Sequence, residues 1–180
     1  MLRVKRLAIL ALPCLLLLAC AGSEPAVTVA PAVAAAAIPA SATSQGQPAT
    51  LGVPVGTADN LDITVLSLSA DPAGVGRNLS MATPEAGDRF FAVRVRVVNR
   101  AESADPRQIS WTGYSLVTSA RQILTPAANF QTPNARWLLA KLLPDGQAEG
   151  HLLFRLPNGE EPHLLLYTVK GQPDTYFALK

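Results

Sequence analysis

The strongest constraint on the fold is a two-residue alternation in residues 89–99, RFFAVRVRVVN. Apolar residues occupy the odd positions from 91 to 97, whereas Arg94 and Arg96 lie between them. Side chains on a β-strand point alternately to opposite faces, so this pattern predicts a strand with one buried and one wet face. A slip of one residue would bury both arginines, which is costly. The predicted core-facing residues are Phe91, Val93, Val95 and Val97.

Other strand-like segments follow at short intervals along the chain. In residues 61–68 the apolar parity changes after Val65, which predicts a bulge or a strand buried on both faces. Asn158-Gly159 is a turn signal between two later strands; in a hairpin there, His163 would lie opposite about Leu156. Many short strands without alternating helices predict an antiparallel β-sandwich or barrel. The further segments are 108–118, 122–125, 150–156, 163–169 and 176–179.

Residues 132–143 fit two structures. Thr132 is a candidate N-cap, Pro133 suits the first helical position and Pro144 would end a helix. A strand preceded by a turn fits the same residues. The leucine spacing favours a short helical turn slightly.

The N-terminus has the pattern of an export signal. Three basic residues precede a 13-residue apolar segment, residues 7–19, which is shorter than the roughly 20 residues of a membrane span. Leu17-Leu18-Ala19-Cys20 then resembles the lipobox of bacterial lipoproteins. This resemblance implies a signal peptide of residues 1–19, cleavage before Cys20 and a diacylglycerol on its thiol. The alternative is an ordinary secretory signal with an incidental cysteine.

Composition divides the rest of the chain. Residues 20–50 are rich in Ala and Pro and predict a disordered tether, followed by one domain over residues 51–180. Cleavage of the signal would remove three basic residues, so the mature chain would contain 12 Lys and Arg and 13 Asp and Glu. This near-neutral balance argues against a nucleic-acid partner. The two cysteines are Cys14 and Cys20, so we predict no disulfide or thiolate metal site in the domain.

Three sequence blocks together resemble a known family. They are GVPVGTADNLDITVLSL, GDRFFAVRVRVVNRAES and LLPDGQAEGHLLFRLPNGEEPHLLLY. They are similar to uncharacterised immunoglobulin-like domains that are common in bacterial lipoproteins and akin to the mycobacterial secreted immunoprotective antigen. The resemblance implies an all-β, immunoglobulin-like antiparallel β-sandwich, with no established activity and no catalytic residues to carry over. The chain departs from the family at Ala120-Arg121, where Asp-Gly is frequent.

Two groups of residues are candidates for a site. Arg94, Arg96, Trp111 and Tyr114 form a candidate interaction face for an anionic or protein partner, and Trp137 is a further aromatic candidate. A solvated sheet face and core packing are the more frequent explanations for such residues. Asp145, Glu149 and His151 offer metal or acid–base chemistry, although a turn and a strand face also account for them. We therefore predict no catalytic residue, cofactor or metal ligand.

These observations lead to two functional hypotheses. The first is a non-enzymatic, lipid-anchored module on the extracytoplasmic face of the cell envelope. Its partners would be the membrane, through the lipid on Cys20, and an unidentified envelope protein or ligand. The alternative is an envelope enzyme or small-ligand carrier, which a deep polar pocket containing His151 and two carboxylates would favour.

The anchor can be tested with Cys20→Ser. Without the thiol no thioether to diacylglycerol can form, so the variant should lose both its membrane attachment and the mass added by lipid. Membrane fractionation and intact-mass measurement check this. A variant that partitions with membranes like the wild type would contradict the anchor.

Overall fold

A computed structural model describes residues 37–39, 43–70, 84–127 and 138–180. The predicted signal peptide, Cys20, most of the predicted tether and Trp137 lie outside the described residues. The described strands are β1 (Ile38–Pro39), β2 (Val55–Gly56), β3 (Leu61–Ser69), β4 (Asp88–Asn99), β5 (Arg107–Ile109), β6 (Tyr114–Thr118), β7 (Ile123–Leu124), β8 (Ala140–Leu142), β9 (Gln147–Pro157), β10 (Pro162–Tyr167) and β11 (Thr175–Ala178). A short 3₁₀ helix, Trp111–Gly113, precedes β6.

The described strands of the domain form two larger sheets and a two-stranded ribbon. The five-stranded sheet has the order β1-β2-β3-β4-β9, the four-stranded sheet has the order β11-β10-β6-β7, and β5 pairs with β8. Between the strands that the structure describes, all pairs are antiparallel except the short pair β1–β2. Buried residues of both sheets form one core cluster. The predicted all-β sandwich is therefore confirmed.

Strand β4 has the predicted orientation. Phe91 is 4% exposed and the three valines at 93, 95 and 97 are 0% exposed, whereas the side chains of Arg94 and Arg96 are 47% and 44% exposed. This strand lies between β3 and β9 and pairs with both along most of its length. The hydrophobic parity thus places both arginines on the outer face of the five-stranded sheet.

The parity change in β3 is a bulge. The β3–β4 register shifts between Val65 and Ser67, so one extra residue opposes the partner strand there. An extra residue reverses the faces of the residues that follow it, which explains why Leu68 packs against the core although its parity differs from that of Val65. Of the two alternatives that the sequence leaves open, the bulge is the one observed.

The anticipated pairing through Asn158-Gly159 is wrong. A turn does form there, with Gly159 at φ +86°, but β9 pairs with β4 and β10 pairs with β6 and β11. The connection therefore crosses from one sheet to the other, and His163 does not lie opposite Leu156. Pro157 and Pro162 flank this connection, and neither has an amide hydrogen with which to close a hairpin ladder.

The turn between β6 and β7 keeps a left-handed residue without glycine. Arg121 has φ +63°, and its amide donates to the carbonyl of Thr118 at 2.9 Å. The amide of Thr118 donates in turn to the carbonyl of Gln122 at 2.9 Å. A tight hydrogen-bonded turn therefore forms although Ala120-Arg121 replaces the family's Asp-Gly. The cost falls on Arg121, because a residue with a side chain adopts a positive φ less readily than glycine does.

The slight preference for helix in residues 132–143 is wrong for the part that the structure describes. Ala140–Leu142 is a strand that pairs with β5. Leu138 and Leu142 are buried, whereas Leu139 and Leu143 are 61% and 59% exposed. Apolar residues at both parities satisfy a helical template as well as a strand, so the pairing with β5 decides the outcome. Residues 132–137 lie outside the described residues.

The folded domain begins before the predicted boundary at residue 51. Ile38–Pro39 pairs with β2, and buried Ala49 forms a bridge to Phe177 of β11. The amide of Ala49 donates to Tyr176 at 2.9 Å, and the amide of Ala178 donates to Ala49 at 2.8 Å. These are backbone hydrogen bonds, which an Ala- and Pro-rich composition does not reveal. In the described part of the chain, we find no helix with the length and apolar character that crossing a bilayer would take.

Neighbouring positions on β4 should respond differently to truncation. Val95→Ala removes two buried methyl groups and should lower the free energy of unfolding by about 1–3 kcal/mol. Arg96→Ala removes an exposed ion-pairing group and should change it by less than about 1 kcal/mol. Urea unfolding of both variants measures the difference, and a larger loss from Arg96→Ala would contradict the assigned faces.

Candidate functional site

The outer face of the five-stranded sheet gathers charged side chains from three strands. The register places Arg94 opposite His151 and Arg96 opposite Glu149 on β9. On the other side, Thr64 of β3 lies opposite Arg96. We call this surface the charged sheet face. Around residues 94–100 of β4 its ionised groups are Asp62, Arg94, Arg96, Arg100, Asp145 and Glu149. Further along the same face, Arg155 of β9 pairs with Glu85.

Glu149 lies between two arginines. Nε of Arg96 donates to Oε1 of Glu149 at 2.8 Å, and Arg94 donates to Oε2. The hydrogen bond from Arg96 lowers the pKa of Glu149, with a smaller contribution from Arg94, while partial burial opposes the shift. Two guanidinium groups against one carboxylate leave one positive charge, so we call these three residues the positive cluster.

Arg100 lies between two aspartates just beyond the end of β4. Its Nε donates to Oδ2 of Asp62 at 2.8 Å and its Nη1 donates to Oδ1 of Asp145 at 2.8 Å. The hydrogen bonds to Asp62 and then to Asp145 raise the pKa of Arg100. Two carboxylates against one guanidinium leave one negative charge, so we call these three residues the negative cluster.

A cleft of about 480 Å³ lies on the charged sheet face. That volume is within the range of small-ligand sites. Its polar lining is Asp62, Thr64, Arg96, Arg100, Asp145 and Gln147. Gly52, Pro54, Leu66 and Val98 complete its wall. The cleft thus contains members of both clusters, with apolar surface between them.

The predicted interaction face is not one surface. Arg94 and Arg96 are exposed as predicted, but Tyr114 is 1% exposed and packs in the core, where its ring lies 4.8 Å from that of Tyr167. Trp111 is half-buried against the same core. The prediction for Tyr114 is therefore wrong, because β6 belongs to the opposite sheet and turns this side chain inward.

The structure does not bring together Asp145, Glu149 and His151 into the metal or acid–base site that their closeness in sequence allows. Asp145 pairs with Arg100 in the negative cluster, whereas Glu149 pairs with Arg94 and Arg96 in the positive cluster. Within the described ranges, no three His, Cys, Asp or Glu side chains come together in a way that would hold a metal ion. Glu149 and His151 do share the outer strand face, as their parity predicts.

A third polar cluster, which the sequence does not indicate, forms around Asp59. The Asp59 carboxylate accepts hydrogen bonds from Thr57, Arg107 and Tyr167, the last at 2.9 Å. Burial raises the pKa of Tyr167, and the negative charge of Asp59 raises it further. Asp59 and Tyr167 lie 108 positions apart in sequence, so no local pattern could reveal the cluster. It ties the β2–β3 loop to β5 and β10.

Asp62 and Arg100 are two further residues of the site that the sequence pattern does not single out. Asp62 alternates with buried residues on β3, so its outward direction is predictable from parity. Its pairing with Arg100 depends on the adjacency of β3 and β4, which only the folded sheet provides.

Glu149 should make stability sensitive to acid. Its folded pKa lies below the ordinary value of 4.5, so its contribution is present above about pH 4.5 and disappears as pH falls through the lowered value. We expect Glu149→Gln to lower the free energy of unfolding at pH 7 by up to about 1 kcal/mol, and the deficit to shrink as the pH falls below 4.5. Denaturation between pH 3 and pH 7 measures it, with exposed Glu102→Gln as the control. A deficit that is constant with pH would contradict the ion-pair assignment.

Solved structures with the same fold include three bacterial proteins. The yjhA protein of Bacillus subtilis is 14% identical, with a TM-score of 0.52, and the match covers 73% of this chain and 99% of that one. The secreted protein MPT63 of Mycobacterium tuberculosis is 14% identical, with a TM-score of 0.53 and coverages of 73% and 97%. The candidate lipoprotein ycdA of Bacillus subtilis is 16% identical, with a TM-score of 0.51 and coverages of 68% and 37%. At these identities the likeness shows the fold alone.

The family assignment comes from a comparison of the sequence with family models. Among curated protein sequences, none is similar enough to the chain to count as a match. The model of DUF4352, a domain of unknown function, matches residues 52–176, which is more than half of the chain. The resemblance to an uncharacterised family akin to a mycobacterial secreted antigen is thereby confirmed. The chain belongs to the DUF4352 family.

Proposed function

We propose that this protein is a lipid-anchored, extracytoplasmic and non-enzymatic binding module, whose binding surface is the charged sheet face. The observation that carries the proposal is the cleft of about 480 Å³ between the positive and negative clusters. Asp62 and Arg96 of the cleft lie on the paired strands β3 and β4. Arg100 and Asp145 lie just beyond strand ends, where the amide of Asp145 donates to the carbonyl of Asn99 at 2.7 Å. Rigid elements position recognition groups better than loops do.

The anchoring part of the proposal is supported by the N-terminal sequence and by similar proteins. Leu17-Leu18-Ala19-Cys20 resembles a lipobox, and the structures with this fold include a secreted protein and a candidate lipoprotein. The 17 residues between Cys20 and Ile38 would reach at most roughly 60 Å when extended. A module on such a tether meets ligands near the membrane surface.

The electrostatics of the face favour binding over catalysis. A general acid or base near neutral pH needs a pKa close to that pH. Glu149 has the opposite property, because hydrogen bonds from its arginines lower its pKa. The cleft is lined by Asp62 and Asp145 but not by His151, so it lacks the combination that would favour an envelope enzyme. Paired charges that are partly exposed instead offer hydrogen bonds to a ligand.

Photo-crosslinking from the cleft tests the proposal. A photoreactive residue at Val98, inside the cleft, should give an adduct in cells, detected by intact mass and by gel shift. The same residue at Ile123, which is 65% exposed on β7 of the other sheet, is the matched control. Combining the Val98 probe with Arg94→Glu and Arg96→Glu should abolish the adduct, because two charges of the positive cluster are reversed.

A second pair of changes separates binding from folding. Arg94→Gln with Arg96→Gln removes the charges without adding carboxylates beside Glu149, and should weaken the adduct while leaving the melting temperature within a few degrees. Absence of any adduct at Val98, or an adduct that survives charge reversal, would contradict a binding role for this face.

A further inference from the structure

We propose that the cleft recognises short peptides by both of their charged ends. The peptide carboxylate would bind at the positive cluster and the ammonium group at the negative cluster. This inference rests on the proposed function and adds the chemical class of the ligand. It comes from the unequal distribution of charge along one face.

The charges of the face cancel overall but not locally. Arg94, Arg96 and Glu149 carry one net positive charge, and Arg100, Asp62 and Asp145 carry one net negative charge. A purely anionic ligand such as a phosphate would be attracted by the positive cluster and repelled by the negative cluster. A ligand with opposite charges at its two ends is attracted by both clusters, which is electrostatic complementarity.

The spacing of the clusters sets the length of the ligand. The register places Asp62 opposite Val98 and Thr64 opposite Arg96, so Asp62 and Arg96 are two residues apart along the sheet. Arg100 is four residues beyond Arg96 on the chain. At about 3.3 Å per residue these separations are roughly 7 Å and 13 Å. An extended peptide of two to four residues spans the same distance between its termini.

The middle of the cleft suits a peptide backbone with small side chains. Val98 offers partly exposed apolar surface between the clusters. Leu66 lies beyond Arg96, at the bulge of β3, and Pro54 adds to the wall. Thr64 and Gln147 line the same cleft, and their hydroxyl and amide groups are donors and acceptors for peptide units. The lining therefore matches the alternation of apolar and polar groups along a short peptide.

Each cluster contains a charge that can turn toward a ligand. The side chain of Asp145 is 80% exposed, whereas that of Asp62 is 16% exposed and stays within the sheet face. Arg94 and Arg96 are both nearly half exposed. Binding exchanges surface ion pairs for ligand ion pairs, and such pairs are individually weak. We therefore expect dissociation constants on the order of 0.1–1 mM.

Calorimetry with trialanine in four forms tests the inference: free termini, N-acetylated, C-amidated and capped at both ends. The full chain in detergent should bind the free peptide at least about tenfold more tightly than either singly capped form. Dialanine to tetraalanine should bind better than hexaalanine, since both ends must reach their clusters. Equal binding of capped and free peptides, or affinity that rises steadily with length, would overturn the inference.

Substitutions that neutralise one cluster at a time assign each end. Arg96→Gln should abolish discrimination against the C-amide but keep discrimination against the N-acetyl form. Asp62→Asn together with Asp145→Asn should do the reverse. Lys170→Gln, an exposed charge in the β10–β11 connection, is the control and should change neither preference. Loss of both preferences in every variant would overturn the end assignments.

The outcome separates this inference from the function on which it rests. If no peptide binds but the crosslinked adduct at Val98 still depends on Arg94 and Arg96, the peptide class is wrong and the binding face remains. If the adduct is also absent, both the ligand class and the binding function fail.

Discussion

Burial of the inward face of β4 is the interaction on which the rest of the structure depends. Val93, Val95 and Val97 are fully inaccessible to solvent and share one core with residues of the opposite sheet, including Leu165 and Phe177. Each buried side chain of this size contributes about 1.5–3 kcal/mol. The same strand pairs with both β3 and β9, so its register aligns the two strands that carry the candidate site.

The charged sheet face is a consequence of that burial. With the valines facing inward, strand geometry places Arg94 and Arg96 outward, and the register brings Glu149 beside them. Exposed ion pairs add little to stability, so the two clusters contribute mainly a pattern of charge. That pattern is uneven along the strand, positive near its middle and negative beyond its end. A sheet surface with this arrangement can orient a ligand as well as hold it.

Cohesion between the sheets is noncovalent, since both cysteines of the chain lie at or before residue 20. Besides the core, one carboxylate connects distant elements: Asp59 accepts hydrogen bonds from Arg107 on the ribbon and Tyr167 on the four-stranded sheet. At the β11 edge, backbone hydrogen bonds from the segment around Ala49 satisfy groups that would otherwise invite pairing with another chain. The segment that composition assigns to the tether thus protects an edge of the sandwich.

The sequence by itself determined the all-β class, the faces of β4 and the parity change that becomes the bulge in β3. These depend on local alternation, because neighbouring residues on a strand must point to opposite faces. Only the tertiary structure decided that β9 and β10 belong to different sheets, that residues 140–142 form a strand, that Tyr114 is buried and that Asp62 joins Arg100. Those outcomes depend on which strands become neighbours, and pairing between segments far apart in sequence leaves no periodic signal in either segment. The candidate site follows the same division: parity predicts the exposed arginines of β4, but the cleft and its opposed charges exist only where three strands meet.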